Sequence, residues 1–404
     1  MNTETTARAQ ELRNELVDKI VKGRQWWGFA LPADVERALR TVPRELFIPG
    51  VSLEEAYEDT AVVTKRREDG MNISSVSAPW LIAAMLAQAA GGRHVLEIGS
   101  GGYNAALLRE IAGPSGSVTT VDIDPEITDR ARACLDAAGY ADVEVVCADA
   151  EFEIEPGRRY DLIMVTVGAY DVPPAWFSQL TDDGTLVVPL RTLGMSRSWA
   201  LQWTGNHLIS RSNISCGFVP MQGAGAGNGR DVPLGDGVSL WLTEAHQDID
   251  VAPLRGVFAT ERHEVSSGVI VPSSHRSPDL DLWLATHLPG FAVMIAQTSA
   301  IDSGLVNPSW QYGTPASVQG ATLAYRGRFR KVGDAEFEYV VHAHGPDGVR
   351  AAEEMAEQIR EWDRAGQPAP TLHVLPANTP DTDLPEGLVL NKQHSRVVFA
   401  WSAA

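Results

Sequence analysis

Glu97-Ile98-Gly99-Ser100-Gly101-Gly102 places an acid directly before a glycine-rich turn, and two further acids, Asp122 and Asp149, follow at later strand ends. Such a turn lets backbone approach a ligand closely, because glycine carries no side chain. The dinucleotide pattern G-x-G-x-x-G would need glycine at position 104, where Asn104 stands, and this counts against NAD or FAD. S-Adenosylmethionine has no pyrophosphate and does not need that third glycine. Its needs are an acceptor for an ammonium, an acid for ribose hydroxyls and a slot for adenine. Glu97 can face the ammonium. Asp122, 23 residues after Gly99, stands where doubly wound folds place a ribose acid. Asp149 can accept from the adenine amine. With Gly99, Ser100 and Gly101 of the turn, and Ile123 and Ala150 beside two of the acids, these eight residues form the candidate cofactor set. Any one signal is weak: a lone Gly-x-Gly is often structural, and an Asp ending a strand often caps a helix. Three acids at successive strand ends are the specific feature.

The elements that must position them are legible from periodicity. Residues 7–22 read as an amphipathic helix, with Leu12, Leu16 and Ile20 at i+4 spacing. A second helix is predicted over 33–41, stopped by Pro43, and a third from Trp80 to Ala89, ending at Gly91-Gly92. Strands are predicted at 94–98, 118–121, 143–146, 160–167 and 185–190, with helices over 104–111 and 125–138. Strands alternating with helices imply a parallel, doubly wound α/β sheet.

Past Leu190 the alternation stops. Ser198–Trp203 and His207–Ile214 read as an antiparallel hairpin. Residues 222–231, with four glycines between 223 and 229 separated only by Ala and Asn, read as either a flexible linker or an ordered loop, and the linker is the preferred reading. Residues 232–404 read as a second, α+β domain, with strands at 238–243, 291–298, 321–329, 336–344, 371–376 and 396–402. Its long helix, 348–364, is expected to bury Val349, Ala352, Met355, Ala356, Ile359 and Trp362. Trp26-Trp27 could line a peptide groove or pack under the sheet, and packing is the favoured reading, since large aromatics are usually well buried. Alternation puts His342 and His344 on one face of a strand, but no third ligand is positioned, so no metal is expected.

Composition narrows the function. The 404-residue chain has 33 Lys+Arg against 52 Asp+Glu, a net charge of −19. That field repels phosphate backbones and argues against nucleic acid, while a basic peptide would be drawn toward it. No apolar run reaches the ~20 residues of a membrane span, and the first residues lack the basic and apolar regions of a signal peptide. Three cysteines, with no C-x-x-C pair, fit a reducing cytoplasm. Oligomeric state has no signature here.

Several ordered blocks give the sequence a specific resemblance. Val42-Pro43-Arg44-Glu45-Leu46-Phe47-Ile48-Pro49, Ala56-Tyr57-Glu58-Asp59, Ser77-Ala78-Pro79, Val95–Gly99, Tyr160–Thr166 and Leu186–Pro189 occur in the order found in the protein-L-isoaspartate (D-aspartate) O-methyltransferase family. The chain resembles that family over roughly residues 10–220. The resemblance implies a Rossmann-like class I methyltransferase over 1–221, with S-adenosylmethionine as donor and S-adenosylhomocysteine as product. It also implies that Ser77, in the block opening the helix before the first strand, orients the acceptor carboxylate. Ser74 and Ser75 supply further donors. The family's G-T-G-S-G-Y is one residue shorter here, as Gly99-Ser100-Gly101-Gly102-Tyr103, and its T-I-S-Q-P stretch is expanded to Ile73–Pro79.

The expansion, the long C-terminal region and Cys216–Gly223 resemble a subgroup, the FxLD-system methyltransferases found beside lanthipeptide and graspetide pathways. This implies esterification of an L-aspartate side chain in a ribosomally made, modified precursor peptide, followed by closure to a succinimide (aspartimide) or opening to isoaspartate. The C-terminal domain would then recognise the peptide. Repair of isoaspartyl protein is the alternative, and a non-catalytic cofactor-binding scaffold is a second. Methyl transfer to a carboxylate needs no general base, since the acceptor is already ionised at neutral pH. Proximity and alignment remain to be supplied, and can be worth ~7–11 kcal/mol.

Overall fold

The computed structural model describes residues 3–23, 29–89, 91–99, 101–227, 229–244, 249–273 and 278–401. Trp26-Trp27 and Ser100 lie outside these residues. The chain opens with helices α1 (Thr3–Lys22) and α2 (Ala33–Thr41), a short α3 (Leu53–Ala56) and a β-hairpin of β1 (Val62–Arg66) and β2 (Asn72–Val76). Helix α4 (Pro79–Gln88) then leads into β3 (His94–Ile98), α5 (Tyr103–Ala112), β4 (Ser117–Asp122), α6 (Pro125–Ala138), β5 (Glu144–Cys147), β6 (Tyr160–Val165), α7 (Pro174–Ser178) and β7 (Leu180–Thr192). Local chemistry sets these bounds. Helix α6 begins where Asp124 Oδ1 accepts from the Glu126 N–H at 3.0 Å and Pro125 occupies the first turn. It ends at Gly139 in the left-handed region, φ 89°.

Strands β5-β4-β3-β6-β7 pair in parallel in that spatial order. The order reverses between β3 and β6, which opens a crevice at their carboxyl ends. The expected doubly wound, Rossmann-like sheet is therefore present. It continues through two antiparallel strands, β8 (Met195–Trp203) and β9 (Leu208–Ser215). Here β7 is longer than the expected 185–190 and forms its own hairpin with β8, turning at Leu193-Gly194, both at positive φ (53° and 82°). Only the β8–β9 hairpin is legible in the sequence, because the polar run Thr181-Asp182-Asp183 masks the start of β7.

The remaining chain builds a second, wholly antiparallel sheet. Its strands are β10 (Arg230–Gly235), β11 (Val238–Leu242), β12 (His263–Pro272), β13 (Phe291–Ala296), β14 (Thr314–Gln319), β15 (Thr322–Arg326), the short β16 (Arg330–Lys331) and β17 (Glu336–His344), in the order β10-β11-β13-β14-β15-β17-β12 with β16 on β17. Helices α8 (Pro278–His287), α9 (Thr298–Asp302) and α10 (Gly348–Arg364) accompany it. The last three strands, β18 (Thr371–Pro376), β19 (Leu388–Asn391) and β20 (Ser395–Ala400), return to the first sheet, where β18 pairs with β9.

Three expectations are corrected. A boundary at 222–231 does not divide the structure, because β18–β20 complete the first sheet and one apolar core runs from Trp176, Trp199 and Phe399 through Leu284 to Met355 and Trp362. The glycine-rich stretch is not a flexible linker over its described part: Gly223–Gly225 form a 3-10 turn, and the Ala224 N–H donates to Asp149 Oδ2 at 2.9 Å. Its glycines are there for close approach, since a Cβ on Gly227 would fall 1.8 Å from the Tyr170 ring. Val349 is 58% exposed; the buried face of α10 is Ala351, Ala352, Met355, Ala356, Ile359 and Trp362, one position round from the expected stripe at its start.

Candidate active site

Glu97 closes β3 and is 1% exposed. Two donors hold its carboxylate: Thr120 Oγ1 to Oε2 at 2.5 Å and Asn104 Nδ2 to Oε1 at 2.9 Å. Burial pushes its pKa up to about 7, with Asp122 adding to the rise and the two hydrogen bonds opposing it. An acid so placed is an energetic liability until a cation arrives. Gly99 follows with φ +98°, where a Cβ would lie 2.8 Å from Val167 Cγ1 and 2.9 Å from Thr166 Oγ1. Thr166, at the end of β6, fastens the turn by donating to the carbonyls of Ile98 (3.0 Å) and Gly99 (2.6 Å). A Cβ on Gly101 would make only an ordinary van der Waals contact, with Val76 Cγ2 at 3.7 Å.

The other two acids stand at the expected strand ends. Asp122 Oδ1 accepts from the Asp124 N–H at 3.0 Å. Ile123 beside it is 38% exposed. Asp149 Oδ1 accepts from the Glu151 N–H (3.0 Å) and Oδ2 from the Ala224 N–H (2.9 Å). Carboxylate oxygens have two lone pairs each, so acceptor capacity remains. Ala150 is buried, and its carbonyl accepts from Trp176 Nε1 at 2.8 Å. A Cβ on Gly223 would meet both Asp149 Oδ2 (2.4 Å) and Ile123 Cδ1 (2.6 Å), so the glycine-rich turn lies against the adenine end of the candidate set. These residues fit S-adenosylmethionine: a buried acid for the ammonium, a turn in which a Cβ is barred at Gly99, and two acids at successive strand ends.

Ser75 and Ser77 line one cleft with Glu97, Gly99 and Gly101, closed by Ile82, Met85, Met164 and Phe218. Ser74 is not in it. Strand alternation turns Ser74 inward, where it is 7% exposed and its hydroxyl meets Thr64 Oγ1 (2.8 Å) and Arg130 Nη2 (3.2 Å). Its expected catalytic place is therefore corrected to a structural one. Nor is Ser77 a helix cap. Asp59 takes that work, its Oδ1 accepting from the Trp80 N–H at 2.9 Å. The Ser77 hydroxyl has no partner among the described residues, while its carbonyl accepts from Arg44 Nη2 at 3.0 Å. Arg44 is fully buried over the Tyr103 ring and also binds the Ala56 carbonyl at 2.9 Å.

Sequence reasoning missed Thr120, Asn104, Thr166, Phe218 and the positioning pair Arg44 and Asp59. Thr120 had a readable signal, a polar residue inside an apolar strand run. Arg44 and Asp59 sat in blocks that were recognised but given no role. Among the described residues no group of three or more His, Cys, Asp or Glu could hold a metal ion, and no helix is long and apolar enough to cross a membrane.

The fold and this cleft define a class I methyltransferase that uses S-adenosylmethionine. The sequence model of the family described as Protein-L-isoaspartate(D-aspartate) O-methyltransferase matches residues 13–225, just over half the chain, and the chain belongs to that family of carboxyl O-methyltransferases. A protein-L-isoaspartate O-methyltransferase of Ignicoccus hospitalis is 36% identical over 216 residues, 52% of this chain and 98% of its own length. One from Archaeoglobus fulgidus is 38% identical over 48% of this chain and 87% of its own. Among solved structures, a protein-L-isoaspartate O-methyltransferase covers 89% of this chain and 96% of its own at 20% identity and a TM-score of 0.49. Another, from Plasmodium falciparum in complex with S-adenosyl-L-homocysteine, covers 52% and 97% at 16% identity and a TM-score of 0.44.

Proposed function

We propose that the chain esterifies an aspartate side chain of a ribosomally made, modified precursor peptide. The observation that carries carboxylate chemistry is a pair of hydroxyls in the same cleft as Glu97, Ser75 and Ser77, neither with a partner among the described residues. S-Adenosylmethionine, when bound, supplies an electrophilic methyl group. Glu97 holds its ammonium; the turn at Gly99, Ser100 and Gly101 admits its methionine part; Asp122 takes the ribose hydroxyls, and Asp149, with Ile123 and Ala150, the adenine. Ser77, with Ser75, donates to the acceptor carboxylate and aligns one oxygen for attack. Ile82, Met85, Met164 and Phe218 keep water from the reacting centre. No base is required, since the acceptor is an anion at neutral pH. Once the ester has formed, the backbone nitrogen of the next residue attacks its carbonyl carbon, methanol leaves, and a succinimide closes. A glycine after the aspartate favours that closure.

Two features support a precursor peptide: the expanded serine segment before α4, and 179 residues beyond the family match (226–404) that share the methyltransferase core. The three cysteines form no disulfide, in keeping with a cytoplasmic setting. A second reading, repair of isoaspartyl protein, is favoured by the names of relatives matched over nearly their whole length. Labelled methyl transfer to an isoaspartyl hexapeptide and to its normal aspartyl counterpart, alone and within a constrained loop, separates the two. Ester formation on the constrained L-aspartyl peptide, at +14 Da, or its imide at −18 Da, supports the first. Transfer confined to the isoaspartyl peptide replaces it with the second. Cofactor binding without transfer to any peptide would leave only a scaffold.

A further inference from the structure

Between β19 and β20 the chain turns through Lys392-Gln393-His394, well beyond the residues that the family model matches. This turn nevertheless reaches the loops that follow β5 and β6, beside the cofactor cleft. The Lys392 ammonium is buried against Glu244 at 3.2 Å and donates to the carbonyls of Tyr170 (2.7 Å) and Arg191 (3.1 Å). Asp171 accepts from the His394 N–H at 2.7 Å and from the Ser395 hydroxyl at 2.5 Å. The turn is thus fixed without help from the His394 ring.

The ring meets the adenine end of the site. Its Nε2 lies 2.8 Å from Glu151 Oε1, and the Glu151 side chain is 8% exposed. The second oxygen, Oε2, stands where a Cβ on Gly225 would come within 2.7 Å. The carboxylate is therefore wedged between the glycine-rich turn and the C-terminal turn. Glu151 in its turn governs Asp149. Its N–H donates to Asp149 Oδ1 at 3.0 Å, and the Ala224 N–H, next to Gly225, donates to Oδ2 at 2.9 Å. Both donors that orient Asp149 adjoin the His394–Glu151 contact. Electrostatics point the same way. Burial pushes the Glu151 carboxyl up; His394 opposes that rise, while Asp149 and Asp171 add to it. Three acids crowd this corner, and His394 offsets the repulsion that would drive Glu151 from Asp149.

We infer that His394 is a positioning residue for the cofactor: through Glu151 it holds the Asp149 carboxylate in the orientation that accepts from the adenine amine. The inference rests on the reading of Asp149 as the adenine acceptor. It gives residues beyond the family match a task inside the methyltransferase site. His394 touches no reacting atom, so it acts on cofactor affinity and base selectivity rather than on methyl transfer itself.

The test is calorimetric binding of S-adenosylhomocysteine and S-inosylhomocysteine to the full chain. The second carries a keto oxygen where adenine has its amine, so a fixed Asp149 carboxylate meets an acceptor instead of a donor. The parent should prefer the adenine form about tenfold or more, the worth of one hydrogen bond to a charged group. His394→Ala keeps the backbone N–H and every Lys392 contact, so the thermal midpoint of the unliganded protein should stay within a few degrees. It should bind S-adenosylhomocysteine about five- to tenfold more weakly and S-inosylhomocysteine about as the parent does, so that the preference nearly vanishes. Asp149→Ala should lose the same preference, and adding His394→Ala to it should cost nothing further. A purely structural role would weaken both ligands alike. Equal weakening of the two, additive losses in the double variant, or a His394→Ala that binds like the parent overturns the inference. An Asp149→Ala that binds S-adenosylhomocysteine as the parent does, or a parent without preference, sinks the reading of Asp149 and the inference with it, and shows this before any His394 variant is made.

Discussion

The parallel part of the first sheet and the antiparallel second sheet make sites in opposite ways. In the parallel part, every strand ends on the same edge, so one short stretch after each strand falls into one crevice. Glu97, Asp122 and Asp149 lie far apart in sequence and meet there because each closes or follows a strand. The antiparallel sheet has no such privileged edge. The groove it forms with the β7–β8 hairpin is assembled from that hairpin, mid-strand positions and a loop between residues 191 and 315. The same contrast appears in buried polar groups. Glu97 is buried with two donors and a raised pKa beside an open cleft. His342 and His344 are equally buried, but between Tyr325 and Phe258, where burial lowers both pKa values, His342 to about 4. The first is poised for a ligand; the second pair is neutral packing.

The largest effect tests whether these halves are separable. Truncation after residue 231 removes β18–β20, and with them Phe399, so that its edge-to-face partner Trp199 is uncovered. The fragment should be insoluble or molten, with no cooperative transition by calorimetry. A truncated chain with a sharp transition and bound cofactor would show that the sheet does not depend on its last three strands. Point variants, rather than deletion, are thus the way to probe the C-terminal half.

Next in size is Glu97→Gln. Removing the charge that faces a bound cation costs about 3–5 kcal/mol, so cofactor affinity by calorimetry should fall at least 100-fold. Without cofactor the same change should stabilise the fold. The folded-state pKa of about 7 lies above the ordinary 4.5, so the native state binds this proton more tightly than the unfolded chain. The resulting penalty is absent below the ordinary value, grows as pH rises toward 7, and is complete above it at roughly 3 kcal/mol. Glu97→Gln should therefore gain stability in urea at pH 8 and gain little near pH 4. In the parent, cofactor affinity should weaken about tenfold per unit as pH falls below 7. A flat affinity between pH 5.5 and 7 would mean that Glu97 does not receive the ammonium.

What was legible follows the same division. Helix and strand periodicity, with glycine and proline at their ends, gave the parallel half nearly residue by residue; α6 and β3 have the expected bounds. The three acids were legible because strand ends are marked by the change of period. The return of β18–β20 to the first sheet was not, since nothing local in residues 371–400 says which sheet edge they join. The ordered glycine-rich turn was misread because the residues that require those glycines, Asp149 and Tyr170, lie 50 to 80 positions earlier. Val349 was misplaced because the first turn of a helix can fray from the stripe that its middle obeys.

The serines offer the finest version of the comparison, since one strand presents both kinds of site. Ser77→Ala removes a cleft hydroxyl that has no partner among the described residues, so kcat should fall about tenfold to a hundredfold with the fold unperturbed. Ser74→Ala removes a hydroxyl shared between Thr64 and Arg130 on the inward face. Two part-buried hydrogen bonds are lost, while Arg130 Nη2 keeps its bond to Thr64 Oγ1 at 3.1 Å, so the cost is about 1 kcal/mol. Its kcat should stay within twofold of the parent, and its loss should appear as a lower urea midpoint. The two changes delete the same atom three residues apart, so side-chain chemistry cannot account for different outcomes; only where the backbone of β2 and of the residue just past it aims each hydroxyl can. If Ser74→Ala slowed methyl transfer as much as Ser77→Ala while leaving the midpoint untouched, the hairpin would have to turn its inward face to the substrate. The assignment of Ser75 and Ser77 to the acceptor would then be reversed.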